Sequence, residues 1–321
     1  MSATPKLAIA ALLPHAGLAG GVRRFVELGN RFQRRGHDFR IYMRETKSPE
    51  WIKCEVPVLP LEKLGERTHD VVMCGDCGLL ETMAEAPAKK RIAMIIGERY
   101  ASKYRAFLER HPDALAVANS GRWNEYLPGV KAIAIPGGVN TTQFQPGHRG
   151  EGPFTINVVG RLDKKLEAVG LVLDAFRKLK WKDARVRIVA DRPSRLPIRY
   201  FLLRKRIEQV SGTDQEKLVG YYQTSDVCVT MERTAGWSNP TAEAMACGIP
   251  AICTRFGTTD FADETTALVV PVDDVAALVA ALRQTREDPA AARARAAAAL
   301  KKIQAFDWEV VVEKLTELFH R

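Results

Sequence analysis

The chain contains no run of about 18 or more uncharged apolar residues, the length a helix needs to cross a bilayer, so a helical membrane span is excluded. Its start, MSATPKLAIAALLP, has one lysine before an apolar run and lacks the strongly basic opening and cleavage site of a secretory leader. A cytoplasmic protein is expected. Cysteine is scarce: six residues, at 54, 74, 77, 228, 247 and 253, with a single CxxC at Cys74–Cys77. A four-cysteine zinc site wants a second such pair. This one follows a strand in mid-domain rather than opening a helix near the domain's start, which favours buried or incidental thiols over redox or metal chemistry. The histidines at 15, 37, 69, 111, 148 and 320 form no HExxH or comparable pair, so no metal is expected. GxGxxG is missing too. The first loop reads Gly17-x-x-Gly20-Gly21, and Met43-Arg44 ends the second strand where a dinucleotide enzyme wants an acid, which argues against an NAD enzyme.

What is present is a chain of 321 residues, 46% apolar and 27% charged, enough for two buried cores and a soluble surface. A net charge of +10 favours phosphates, nucleic acid or anionic lipid without choosing among them. Strand-like and helix-like segments alternate, the pattern of parallel sheets with helices on both faces. Strands are expected at 7–13, 39–43, 71–74, 91–96, 114–118 and 131–135, with a helix from Val22 to Gly36. The Gly/Pro-rich stretch Gln145–Pro153 is the best linker. It sets domains of 1–148, joined by a C-terminal helix of about 306–321, and 149–305. The second series places strands at 155–159, 186–190, 226–230, 250–254 and 267–270, and helices at 166–179, 240–247, 274–286, 289–304 and 308–320.

Three segments carry candidate chemistry. Gly236 to Pro250 holds a helix of about two turns between apolar strands, with Asn239 as N-cap, Pro240 at the first helical position and Gly248 as the left-handed stop. Its N-terminal amides, around Ser238, Asn239, Pro240 and Thr241, would face the carboxyl edge of the sheet, where anionic ligands bind. Glu243 just inside the first turn could accept two hydrogen bonds from a ribose diol, or could simply complement the helix dipole. Val159 to Lys165 follows a strand: Gly160 frees the backbone, and Arg161 with Lys164 or Lys165 could clamp a diphosphate, or form a solvated basic loop. With no carboxylate pair to hold magnesium, such cations would neutralise a leaving diphosphate. Third, Gly20 and Gly21 let backbone approach a phosphate or sugar.

Taken in order, these segments resemble glycosyltransferase family 4. Ile135-Pro-Gly-Gly-Val-Asn-Thr-Thr-Gln-Phe-Gln-Pro146 is similar to its domain-closing motif, Gly160-Arg161-Leu162 to its "GRL…K", Tyr222-Gln-Thr-Ser-Asp226-Val to its "Y..aDv", Glu243-Ala-Met-Ala-Cys-Gly-Ile-Pro250 to its "EAMACGvP" and Phe306-Asp-Trp308-Glu309 to its "fsWe". The likeness covers nearly the whole chain and is most specific over 226–256. It implies an α/β fold of the GT-B type, with two facing Rossmann-like domains, parallel sheets and a cleft between them. It also implies a transferase that moves a sugar from a nucleotide-diphosphate sugar to a glycan, lipid-linked or small-molecule acceptor, with retention and without metal or other cofactor. Arg161 and Lys165, or Lys164, match its diphosphate-binding pair and would be catalytic. Glu243 matches the second Glu of its E-x7-E, which holds ribose. The first falls on Ala235, and three readings stay open: an unusual donor sugar, rescue by Glu232 or another group, or a weak or inactive enzyme. Asp191-Arg-Pro193 replaces a glycine-rich turn.

His15 and Glu98 are candidates for the acceptor side, with turn or surface roles as the blander reading. Residues 99–110 and 195–206 are basic and amphipathic. Each reads first as a helix packed on its own sheet, and second as a peripheral contact with the inner face of a membrane. Nucleic-acid binding lacks an accompanying motif. The rivals to transfer are another GT-B enzyme such as a nucleotide-sugar epimerase, and a non-catalytic nucleotide-sugar-binding scaffold.

Overall fold

The computed structural model describes residues 5–211 and 215–321, which form two units. The first comprises the residues up to Gly138 together with Trp308–Arg321. Its apolar runs become the buried strands that continuous hydrophobicity predicts for a parallel sheet. They are β1 (Ala8–Leu12), β2 (Asp38–Met43), β3 (Val58–Pro60), β4 (His69–Cys74), β5 (Ala88–Ile95), β6 (Leu115–Ala118) and β7 (Ala132–Ala134). The order is β3-β2-β1-β4-β5-β6-β7, parallel throughout. Helices α1 (Gly20–Arg34), α2 (Leu80–Glu85), α3 (Ala101–Arg110) and α4 (Trp123–Tyr126) connect them.

The second unit, Val139–Asp307, carries β8 (Phe154–Val159), β9 (Ala184–Ala190), β10 (Ile207–Ser211), β11 (Val227–Thr230), β12 (Ala251–Cys253) and β13 (Leu268–Val269). Its helices are α5 (Val169–Leu179), α6 (Gln215–Gln223), α7 (Asn239–Ala246), α8 (Val275–Glu287) and α9 (Pro289–Ile303). The order β10-β9-β8-β11-β12-β13 repeats the doubly wound pattern of the first sheet. The last helix, α10 (Trp308–His320), returns to the first unit and packs beside α1, where Phe319 stacks on Phe32 at 5.5 Å.

The units part at Gly138/Val139, ten residues before the 148/149 boundary taken from the Gly/Pro-rich stretch. The physical reason is that residues 139–147 pack on the second unit. Phe144 lies edge-on to Tyr222 at 6.0 Å, and the Gln223 amide donates to the Gln145 carbonyl at 2.8 Å. Segment 195–206 forms a 3-10 turn over Ile198–Arg206 rather than an α-helix. Among the described residues, no helix is long and apolar enough to cross a membrane.

Four of the six thiols, Cys74, Cys228, Cys247 and Cys253, are buried, and Cys54 and Cys77 are half-buried. Burial pushes the Cys74 thiol up to about 12. In 99–110, Tyr104 and Phe107 are buried against the first sheet, so that segment spends its apolar side on its own core.

Candidate functional site

In a doubly wound sheet, ligands bind at the carboxyl ends of the two strands that flank the reversal of strand order. In the second unit these are β8 and β11. The loops that leave them, 160–168 and 231–238, are tied together where Arg233 N–H donates to the Leu166 carbonyl at 3.0 Å.

The first loop folds back on itself. Gly160 has φ +140°, and a methyl there would sit 2.7 Å from Glu167 Oε2. Glycine thus lets Glu167 close over the turn, and Glu167 Oε2 accepts from Arg161 N–H at 2.6 Å. This closure consumes the start of the expected helix: Ala168 is left-handed at φ +49°, and α5 begins at Val169 rather than 166. Arg161 Nε donates to Asp163 Oδ1 at 2.8 Å, and its guanidinium lies 3.7 Å from Asp191. That guanidinium holds the Asp163 carboxyl down at about 2. Lys164 pairs with Glu167 at 3.1 Å. The Lys165 side chain is exposed and, among the described residues, makes no ion pair.

The second loop carries Glu232 and Ala235. The Glu232 residue is half-buried, but its Oε2 is enclosed without a hydrogen-bond partner among the described residues. Burial pushes its carboxyl up to about 7; the Ser238 hydroxyl opposes that shift, and the Glu167 carboxylate adds to it. Ala235 instead faces Gly257. Gly257 has φ +72°, and a methyl on it would lie 2.6 Å from Ser238 N and 2.9 Å from Ala235 Cβ. Its carbonyl also accepts from Ser238 N–H at 2.8 Å. Gly257→Ala combines a disfavoured left-handed backbone conformation with a clash, and roughly 2–4 kcal/mol of stability should be lost. Denaturant unfolding measures it, and an unchanged midpoint would show that the 235–238 turn gives way freely.

Helix α7 starts one residue earlier than expected. Ser238, not Asn239, is the N-cap, because Ser238 is extended at φ −92°, ψ 97°, while Asn239 and Pro240 are already helical. The Ser238 hydroxyl bonds Thr241 Oγ1 at 2.9 Å, and that oxygen bonds Thr230 Oγ1 at 2.7 Å. The Ser238 side chain makes no capping hydrogen bond to the first amides of α7. Gly248 ends the helix left-handed at φ +69°.

Glu243 is the larger correction. It is the fifth helical residue, not inside the first turn, and it is 3% exposed rather than at the mouth. Tyr222 Oη donates to its Oε2 at 2.7 Å. Burial first, and the Glu243 charge second, push the Tyr222 hydroxyl well above its ordinary value, so it stays a donor. The reason is helical geometry. A side chain at that position points down the inner face of α7, which packs against β11, β12 and α9.

In the first unit, Gly20 and Gly21 open α1 instead of lying in the loop before it. A methyl on Gly21 would meet nothing within 4 Å, so the unit itself does not demand glycine there. His15 is exposed after β1, and its Nδ1 accepts from Gly17 N–H at 3.1 Å. Glu98 is half-buried in the 3-10 turn after β5. All four follow carboxyl ends of the first sheet. Arg161, Lys164, Lys165, Ser238, Asn239, Pro240, Thr241 and Glu243 belong to the second unit. Sequence reasoning did not find Glu167, Asp163 or Tyr222 as partners. Each stands within or beside a quoted motif, but a partner's distance is a property of the folded loop.

Residues 153–288 match the family described as Glycosyl transferases group 1. A D-inositol 3-phosphate glycosyltransferase of Kineococcus radiotolerans is 25% identical over a match covering 60% of this chain and 52% of that protein. The chain thus spans about half the length of this curated relative. Among solved structures, a glycosyltransferase from Rickettsia africae superposes with a TM-score of 0.80 at 18% identity, covering 98% of each chain. An Anabaena protein, HepE, solved in complex with UDP-glucose, gives a TM-score of 0.79 at 12% identity over 98% of this chain and 99% of its own. Residues 153–288 thus match the Glycosyl transferases group 1 family, in a chain that carries the GT-B fold.

Proposed function

We propose that this chain is a glycosyltransferase that takes a sugar from a nucleotide-diphosphate donor held on its second unit. The observation that carries the reading is that the loop bearing Arg161, Lys164 and Lys165 leaves β8 at the reversal of the second sheet and is tied, through Arg233 N–H and the Leu166 carbonyl at 3.0 Å, to the loop that leads into α7. Arg161, Lys164 and Lys165 neutralise the diphosphate, the role that a divalent ion would otherwise fill. The amides from Ser238 to Thr241 grip phosphate and sugar. The resemblance gives the ribose diol to Glu243, whose carboxylate is enclosed beside Tyr222 in the unliganded chain, so the bound donor would have to reach it from the N-terminal end of α7. In the reaction the bond from the anomeric carbon to the leaving phosphate breaks, the acceptor oxygen bonds that carbon, and the acceptor's proton passes to the leaving phosphate. We assign retention, a metal-free reaction and a glycan, lipid-linked or small-molecule acceptor on the same resemblance. HepE, solved with UDP and with UDP-glucose, supports a nucleotide-sugar donor.

Calorimetric titration against UDP, GDP, ADP and dTDP without metal tests the donor site. One nucleotide should bind in the micromolar range, and Glu243→Ala should lose at least tenfold while keeping its fold. Well-folded protein that binds none of the four would overturn the reading. Ala235 favours a second reading, a nucleotide-sugar-binding protein without turnover; binding with no transferred sugar in product analysis would select it.

A further inference from the structure

Large apolar side chains of the second unit are almost all covered, with a conspicuous exception after β9. Ile198 is 86% exposed, Leu202 91% and Phe201 50%. With three residues per turn, Ile198 and Phe201 eclipse one another on one edge of the 3-10 turn and Leu202 stands on a second, while the third edge carries the buried Tyr200 and Leu203. The turn is not frayed. Tyr200 and Leu203, on its inner side, are buried, and Tyr200 Oη donates to the Gly170 carbonyl at 3.1 Å. The Arg206 guanidinium caps the Phe176 ring at 5.3 Å. The fold therefore holds Ile198 and Leu202 out in water, at a cost that burial elsewhere would recover.

Charge surrounds them. Between Arg192 and Arg206 the sequence has six cations and no carboxylate. Arg204 stacks over Phe201 at 4.4 Å, which leaves its positive charge at the rim of the apolar patch. Arg195 and Lys205 are exposed and, among the described residues, form no ion pair. Asp174, the acid that approaches from α5, is already met by Arg177 at 3.4 Å and Arg199 at 3.9 Å. A second copy of this chain would bring the same positive charge to the same patch, so self-pairing is opposed. An anionic lipid surface satisfies both features at once, since aliphatic tips enter the acyl boundary while arginines and lysines meet phosphates.

We propose that Ile198, Phe201 and Leu202 insert into the interfacial layer of an anionic bilayer, with Arg195, Arg204 and Lys205 on its phosphates. This surface is independent of the donor site, and its test uses the whole chain. Flotation is measured with vesicles of phosphatidylcholine alone and of phosphatidylcholine with phosphatidylglycerol. The parent should float with the anionic vesicles only. Ile198→Asp with Leu202→Asp should cut partitioning at least tenfold, and Arg195→Gln with Arg204→Gln and Lys205→Gln by about a hundredfold. Both variants change exposed side chains, so unchanged thermal melts check that the fold persists. Absence of flotation at low salt, or equal flotation of parent and variants, overturns the proposal. So does self-association without lipid that Leu202→Asp abolishes, which would give the patch to a second copy.

Discussion

The Glu232→Gln protein should melt several degrees higher than the parent at pH 8 and at the same temperature at pH 4. The carboxyl of Glu232 is enclosed at Oε2, without a hydrogen bond among the described residues, and burial lifts it from an ordinary 4.5 to about 7. Its sign follows from linkage. Below pH 4.5 the group is protonated in the folded and the unfolded chain and costs nothing. Between there and about 7 the unfolded chain ionises while the folded one keeps its proton, so stability falls as pH rises. Above 7 both states are ionised and the whole cost of an enclosed charge is present. At about 1.4 kcal/mol for each pH unit of displacement, that cost is on the order of 3 kcal/mol. Glutamine keeps the shape and removes the ionisation, so the gain should grow across that window and then stay level. Thermal melts of both proteins across the pH range measure it. A difference that is the same at pH 4 and pH 8 would mean that Glu232 does not titrate in this window.

The same residue shows what the sequence could and could not tell. Glu232 is three positions from Ala235, close enough to be weighed as a substitute and too far to be placed by counting. Only the folded loop shows that Ala235 is pressed against Gly257 while the Glu232 carboxyl turns inward toward Ser238. The strands legible from residues alone were long apolar runs such as Ala8–Leu12 and Phe154–Val159. Two of the four edge strands were not: Val58–Pro60 is three residues long, and Ile207–Ser211 reads Ile-Glu-Gln-Val-Ser with two of its five side chains exposed and none buried. Helix α7 was legible through Pro240 and Gly248, which fix its two ends by backbone geometry. Its contents were less so. The first turn of a helix presents amides outward whatever its sequence, but the direction of the Glu243 side chain depends on what packs against the fifth residue. The position of a charged group is set by its partners, and partners come from distant segments, as Tyr222 does for Glu243 and Asp191 for Arg161.

Arg161→Ala should lower kcat on the order of 10²–10³ while leaving nucleotide affinity much less affected. The loss follows from where charge develops. As the bond to the anomeric carbon breaks, negative charge accumulates on the departing phosphate, and a guanidinium stabilises that state more than it stabilises the bound donor. In the unliganded chain this guanidinium is held by Asp163 and lies 3.7 Å from Asp191. Its backbone N–H is pinned separately by Glu167 at 2.6 Å. The loop therefore keeps its shape when the side chain is cut back, and the alanine variant should melt like the parent. Arg161→Lys should restore only part of the rate, because an ammonium keeps the charge but not the two-pronged donor. Asp163→Asn provides the opposite control, since it loosens the guanidinium without removing it and should change kcat far less than alanine does. Steady-state transfer kinetics with the donor identified by titration separate these cases. Near-normal turnover in Arg161→Ala would move the neutralising role to Lys164 and Lys165. A parallel collapse of affinity and of the melting temperature would show instead that the side chain mainly holds the loop together.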